Sequence, residues 1–260
     1  MVRIEKNKVV FYQFPGLSRF DHLRHGVFSR RGGYSTGFFQ SLNTSLGVGD
    51  TASAVEKNRR QVSTCLQVET DKLIFARQVH GVRILAITTA DAERNDNADG
   101  IIGIGDAMVT NVKNRYLTIQ VADCQAVMIY DPVRHVVANI HAGWRGSIAN
   151  ILGRALDVMV RVFSCEPKDC VAGVSPSLGP CCAEFIHYRS EIPKALWRYG
   201  DARRYFDFWT LSRDQLSKKG ILPENIFISR ICTKCRQDLF YSYRGESITG
   251  RFAAVIGMTG

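Results

Sequence analysis

Three residues combine types and positions that suit metal chemistry. His80 follows the strand-like run "KLIFARQV" and precedes Gly81. Cys124 stands in "VADCQA", where an apolar run breaks, directly after Asp123. His141 ends "HVVANI" and opens "HAGWRGS". Strand ends are where loops present side chains to a shared cleft. Two imidazoles and a thiolate form a donor set that suits zinc, and three protein ligands leave a fourth position open for catalysis. Copper, which tops the divalent affinity series, can occupy such a site incidentally. Plainer readings stand beside this one: a hydrogen-bonded histidine at a strand end, and a cysteine that is only a small buried apolar group. Cys124 and His141 could also act without a metal, as nucleophile and base of a cysteine hydrolase or deamidase. A dyad of that kind has no use for His80, whereas a zinc site does.

The elements that must position these residues are legible from periodicity. "YLTIQVA" (116–122), "AVMIYD" (126–131) and "HVVANI" (135–140) are rich in β-branched and aromatic residues and read as strands. "DPVRH" joins the last two with the chemistry of a short hairpin turn. "VRILAI" and "GIIGIGDAMVT" add strand signals on either side of a polar stretch at 88–100, which reads as an exposed loop. Helical spacing runs through "GSIANILGRALDVMVRVF", with Ile148, Ile151, Leu152, Ala155, Leu156 and Met159 on one stripe. "TASAVEKNRRQVSTCL" (51–66), entered through Asp50 or Thr51 as a cap, predicts a second helix, and "SEIPKALWRYG" a third. Strands clustered in the middle with helices between and after them predict an α+β (α/β-like) fold. Its mixed β-sheets are layered with flanking helices in one domain over residues 1–260.

Composition narrows the function classes. A chain of 260 residues that is 45% hydrophobic and 22% charged can bury an ordinary core. It has no apolar run long enough to span a membrane, and "MVRIEKNKVVFYQFPG" does not read as a secretory signal. With that start, the eight cysteines predict reduced thiols and a cytoplasmic location. The net charge of +10 raises the question of nucleic acid, but Lys and Arg are scattered and no binding motif is present. A pocket that draws in phosphate accounts for the charge as well. A basic nucleic-acid adaptor is therefore the non-enzymatic rival, and the expectation is no nucleic-acid partner.

Several strings appear in the order found in one family. They are "SRRGGYSTGFFQSLNTSLGVGD", "VEKNRR", "FARQVHG", "GDAMVT", "VADCQAVMIYDP", "IHAGWRG", "SPSLGPCC" and "DLFYSYRGESITGRFAAVIGM". From about residue 25 to the C-terminus the chain resembles the YfiH-type laccase-domain proteins. The resemblance implies a zinc site made by His80, Cys124 and His141. It also implies purine nucleoside phosphorylase activity on adenosine, inosine and methylthioadenosine, together with adenosine deamination. Purine nucleoside and phosphate would then be the partners, with the oligomeric state left open. One departure is "YRGES", where relatives often read Arg-Arg-Asp: Arg244 is kept, and Gly245 and Glu246 follow. The family's older reading as copper polyphenol oxidases is disfavoured by residue counts. This chain has six histidines and no His-x-His pair, too few for a multicopper centre.

Phosphorolysis needs an anion pocket. "GWRGS", at a predicted helix start, offers backbone N–H groups, and Arg145 could add a bidentate contact. Arg30 and Arg31 in "SRRGGYSTG" are a second candidate, with an exposed basic hairpin as the alternative. Asn43 and Arg59 are family-matched polar positions without an assigned role. Deamination needs an activated water at C6 of adenine, which zinc supplies in the familiar deaminases with help from a glutamate in an H-x-E motif. This chain lacks that motif, and Asp123 is the substitute candidate, as proton carrier or as orienter of the metal ligands. Its alternative is a turn residue capping the strand end. "CTKC" (232–235) has C-x-x-C spacing, and Cys181 and Cys182 could complete a Cys₄ zinc site with Cys232 and Cys235. A lone C-x-x-C does not define one, and "SPSLGPCC" reads first as a Gly-Pro turn near the pocket wall.

Overall fold

The computed structural model describes residues 1–89 and 100–260, so most of the polar stretch at 88–100 lies outside the described residues. In chain order the strands are β1 (Val2–Lys6), β2 (Val9–Gln13), β3 (Leu23–Phe28), β4 (Leu73–Arg77), β5 (Ile84–Ile87), β6 (Ile101–Ile104) and β7 (Ala107–Thr110). They continue with β8 (Tyr116–Val121), β9 (Gln125–Asp131), β10 (Val136–Ala142), β11 (Val171–Val174), β12 (Ile226–Ile228) and β13 (Phe252–Met258). Two sheets result, a seven-stranded one ordered β1-β2-β3-β13-β8-β4-β6 and a six-stranded one ordered β12-β11-β9-β10-β7-β5. Both are mixed: β4 runs parallel to β6 and β8, β5 to β7 and β11 to β12, and the other neighbours are antiparallel.

The alternation of side chains along each strand sorts residues between layers. In β13, Phe252, Ala254, Ile256 and Met258 enter the core between the sheets, with Ala126, Met128 and Tyr130 of β9 opposite. Ala253 and Val255 face the other way, toward Val62, Cys65 and Leu66 of the helix Ala52–Leu66. Val127 and Ile129 of β9 likewise face Ile151, Leu152, Leu156 and Met159 of the helix Ile151–Phe163. The order of layers is therefore helix, sheet, sheet, helix. Each of those four buried helical side chains contributes about 1.5–3 kcal/mol. Asn139 ties the two sheets at their centre, its Nδ2 donating to the carbonyls of Leu117 and Ala254, each at 2.8 Å.

Some elements differ from expectation. The helix predicted from Gly146 onward is broken: a short helix at Trp144–Ile148 ends at Ala149, and Asn150, with φ of 58°, caps the helix Ile151–Phe163. Asparagine tolerates the left-handed region and its side chain accepts the Gly153 N–H, so the break sits where the residue chemistry allows it. "SEIPKALWRYG" is not one helix but a turn at Tyr188–Glu191 and a 3₁₀ segment at Lys194–Tyr199, because Pro193 interrupts the hydrogen-bond ladder. β10 extends through Ala142, which places His141 inside the strand.

His25 in β3 is fully buried, and its Nε2 accepts the N–H of Phe14 at 3.0 Å. Burial lowers its pKa to about 4. The unfolded chain therefore binds more protons than the folded one between pH 6.5 and about 4, and stability falls as pH falls through that window. The expected loss is about 3 kcal/mol. Denaturant titrations of wild type and His25→Gln across this range check it: the variant should show the shallower fall, and equal slopes would refute the assignment.

Candidate metal centre

The chain passes from the seven-stranded to the six-stranded sheet three times at one end of the sandwich: between β4 and β5, β6 and β7, and β8 and β9. Because β4, β6 and β8 are mutually parallel, their carboxyl ends share one edge. His80 lies in the first crossing, Asp106 in the second, and Asp123 and Cys124 in the third. β10 runs antiparallel to β7 and β9, so His141 near its carboxyl end arrives at the same place.

One donor atom from each of His80, Cys124 and His141 lies within 4.8 Å of the others. Cys124 Sγ is 3.8 Å from His80 Nε2, close to the separation of about 3.5 Å for sulfur and nitrogen sharing a tetrahedral zinc. The residues present fit a three-ligand metal site. Gly143 makes the convergence feasible, since a Cβ there would stand 2.9 Å from His80 Cδ2 and 3.2 Å from Cys124 Sγ. His141 is buried, Cys124 half-buried and His80 exposed to the cleft, so the third ligand is approached from solvent.

Asp106 was not foreseen, although it stands in the quoted "GDAMVT". Its Oδ1 is 2.8 Å from His141 Nδ1, which leaves His141 Nε2 to face Cys124. The same carboxylate accepts the N–H groups of Val79, His80 and Gly81, fixing the His80 turn, where φ is 58°. Burial by itself would raise the Asp106 carboxyl; the hydrogen bonds from His141, Gly81 and His80 outweigh it and hold the group below the usual range. Burial would also raise the Cys124 thiol, but the neighbouring His141 and His80 rings bring it below its ordinary value. The centre thus favours the thiolate, the form that binds metal.

Around the centre opens a cleft of about 1100 Å³. Among the described residues its lining carries Arg59, Arg77, Arg145, Arg244 and Arg251 against one carboxylate, Asp123. Arg145 is exposed and lies over the Trp144 ring at 4.3 Å. Arg59 lies 4.0 Å from the Phe75 ring, with Nε donating to the Thr44 carbonyl. Asn43 is fully buried outside the lining, where its Oδ1 accepts the N–H of Arg251 and so positions that arginine. Arg30 is also outside the lining: its guanidinium pairs with Glu246 at 2.7 Å and donates to the Gln40 and Gln237 carbonyls. Glu246, within the departure noted in "YRGES", is thus the partner of Arg30. Asp123 adopts a φ of 83°, and its carboxylate accepts from Thr233 Oγ1, Ser242 Oγ and the Arg244 N–H. The remaining histidines lie elsewhere, His22 and His135 beside Tyr130 and His187 at the Tyr188–Glu191 turn.

A family profile described as multi-copper polyphenol oxidoreductase laccase matches residues 24–259. The purine nucleoside phosphorylase YlmD of Geobacillus stearothermophilus is 31% identical over 247 residues, covering 89% of each chain. A purine nucleoside phosphorylase of Bacteroides thetaiotaomicron is 29% identical over 98% of both. The crystal structure of the Geobacillus YlmD superposes with a TM-score of 0.87 at 28% identity, covering 99% of this chain and 98% of that one. No helix among the described residues is long and apolar enough to cross a membrane. With its sequence matched almost end to end and its sandwich superposing on a solved relative, the chain belongs to the YfiH/YlmD family of laccase-like domains.

Proposed function

We propose that the chain is a zinc-dependent purine nucleoside phosphorylase that acts on adenosine, inosine and methylthioadenosine and also deaminates adenosine. The observation that carries this reading is the convergence of His80, Cys124 and His141 at the wall of an arginine-lined cleft. When bound, zinc supplies Lewis acidity toward water and substrate heteroatoms. The rest is the work of the chain. The arginines draw phosphate into the cleft, and Arg145 takes one face of the anion. Trp144, Phe185 and Tyr243 offer an aromatic wall on which a purine can stack. In phosphorolysis a phosphate oxygen bonds to the ribose anomeric carbon as the bond to the purine nitrogen breaks, and the purine leaves with a proton. Asp123, fully engaged by three donors, acts in this reading as the anchor of the Cys124 turn. The positive charge then serves a small anionic substrate rather than nucleic acid, in a cytoplasmic enzyme.

The test is metal content and activity measured together. Protein purified without chelator should hold zinc in this site and convert adenosine and phosphate to adenine and ribose 1-phosphate. His80→Ala should lose both. A cysteine hydrolase using Cys124 and His141 is the second reading, favoured by the Asp106–His141 hydrogen bond, which orients the ring as a base would require. It predicts that His80→Ala keeps its activity. Arg145→Ala should raise the apparent KM for phosphate about tenfold, the order of one charged hydrogen bond. An unchanged KM would remove Arg145 from the anion site.

A further inference from the structure

A second group of metal-binding side chains lies outside the centre described above. Cys181 and Cys182 follow β11 in "SPSLGPCC", and Cys232 and Cys235 follow β12 in "CTKC". One sulfur from each lies within 4.8 Å of the others. Cys235 Sγ is 3.6 Å from both Cys181 Sγ and Cys182 Sγ. A tetrahedral zinc with bonds of about 2.3 Å places its sulfurs about 3.8 Å apart. A disulfide needs about 2.05 Å, so the sulfurs are unbonded and stand at a spacing that ligands around one ion would take.

Two further observations separate these cysteines from ordinary core thiols. Cys65, Cys165 and Cys170 are buried apolar groups, whereas Cys181 and Cys235 are exposed, against the usual preference of the residue. The backbone also turns toward the cluster: the Gly179 N–H donates to Cys232 Sγ at 3.3 Å, a bond suited to a thiolate acceptor. A side chain at Gly179 would meet Trp209 at 2.8 Å and Cys232 Cβ at 3.0 Å, so only glycine allows this approach.

We infer that Cys181, Cys182, Cys232 and Cys235 bind a second, structural zinc ion in a closed Cys₄ site. The ion staples the segment after β11 to the segment after β12. Those segments already exchange hydrogen bonds, the Ser177 N–H to the Ile231 carbonyl and the Thr233 N–H to the Ser177 carbonyl. Both also grip Asp123: Thr233 donates to its carboxylate at 2.6 Å, and the Leu178 N–H to its carbonyl at 2.8 Å. The staple therefore braces the residue preceding Cys124 and one wall of the cleft, where Ser177 and Leu178 stand.

Elemental analysis of the full chain, purified without chelator from zinc-supplemented culture, tests the site. Wild type, His80→Ala, Cys235→Ala and the double variant should hold about two, one, one and no zinc ions per chain. If the first centre binds no metal, wild type and His80→Ala should both hold one ion and Cys235→Ala none, so failure of the functional reading is distinguishable. Equal zinc in wild type and Cys235→Ala would overturn the inference. A second measurement needs no cysteine variant. In folded His80→Ala, the four thiols should resist alkylation until a mercurial displaces zinc, with release of one ion. Immediate alkylation of all four, or an intact mass lacking two or four hydrogens from disulfide formation, would equally overturn it.

Discussion

Cys124→Ala is expected to lose the zinc of the cleft and to lower kcat/KM for adenosine phosphorolysis by about 10³-fold or more, roughly 4 kcal/mol of transition-state stabilisation. The thiolate is the only anionic donor of the set, and its removal leaves two imidazoles, one of them exposed. On the proposed reading that one site serves both reactions, deamination should fall with phosphorolysis. The assay is steady-state kinetics on matched samples, one following adenine and the other inosine. Survival of either activity at wild-type rate would separate the two reactions and break the single-site reading. The variant should fold, since Cys124 is half-buried and an alanine fits its turn.

Asp106 carries the second large effect. It is fully buried and accepts from three backbone N–H groups as well as from His141. Asp106→Ala strands those donors in the interior, and a loss of about 3–5 kcal/mol in folding stability is expected. Asp106→Asn retains the shape and one accepting oxygen but presents an amide donor where an N–H must be received. It should fold with a smaller penalty and bind zinc about 10–100-fold more weakly. Chelator competition measures the affinity and denaturant titration the stability. Unchanged zinc affinity in Asp106→Asn would show that Asp106 supports the fold alone.

It was the family resemblance that implied the set of His80, Cys124 and His141, and β10 runs one residue past His141, but each stands at or near the end of an apolar run, which is visible in one dimension. The "DPVRH" hairpin was visible for the same reason: Asp131 accepts the N–H groups of Val133 and Arg134 within its own turn. Asp106 was hidden because its role depends on a crossing between sheets, and nothing in "GDAMVT" says that the His80 turn lies against it. The four cysteines after β11 and β12 sit about fifty residues apart in pairs, and the parallel pairing of two short strands starts to bring them together. The break at Asn150 was masked by a continuous apolar stripe, which a left-handed residue interrupts without altering its composition. Arg30 and Arg145 look alike in sequence, yet one is neutralised by Glu246 and the other faces the cleft.

With zinc bound as proposed, the three crossings between the sheets would make the metal a test of completed folding. A chain with one sheet formed and the other unpacked holds at most part of the proposed ligand set, so the ion would discriminate strongly in favour of the closed sandwich. Binding at the proposed site would therefore protect the assembled molecule by mass action, about 2.7 kcal/mol when free zinc stands at a hundred times its dissociation constant. On that reading the supply of free metal would govern how long each molecule survives proteolysis as well as how many are active.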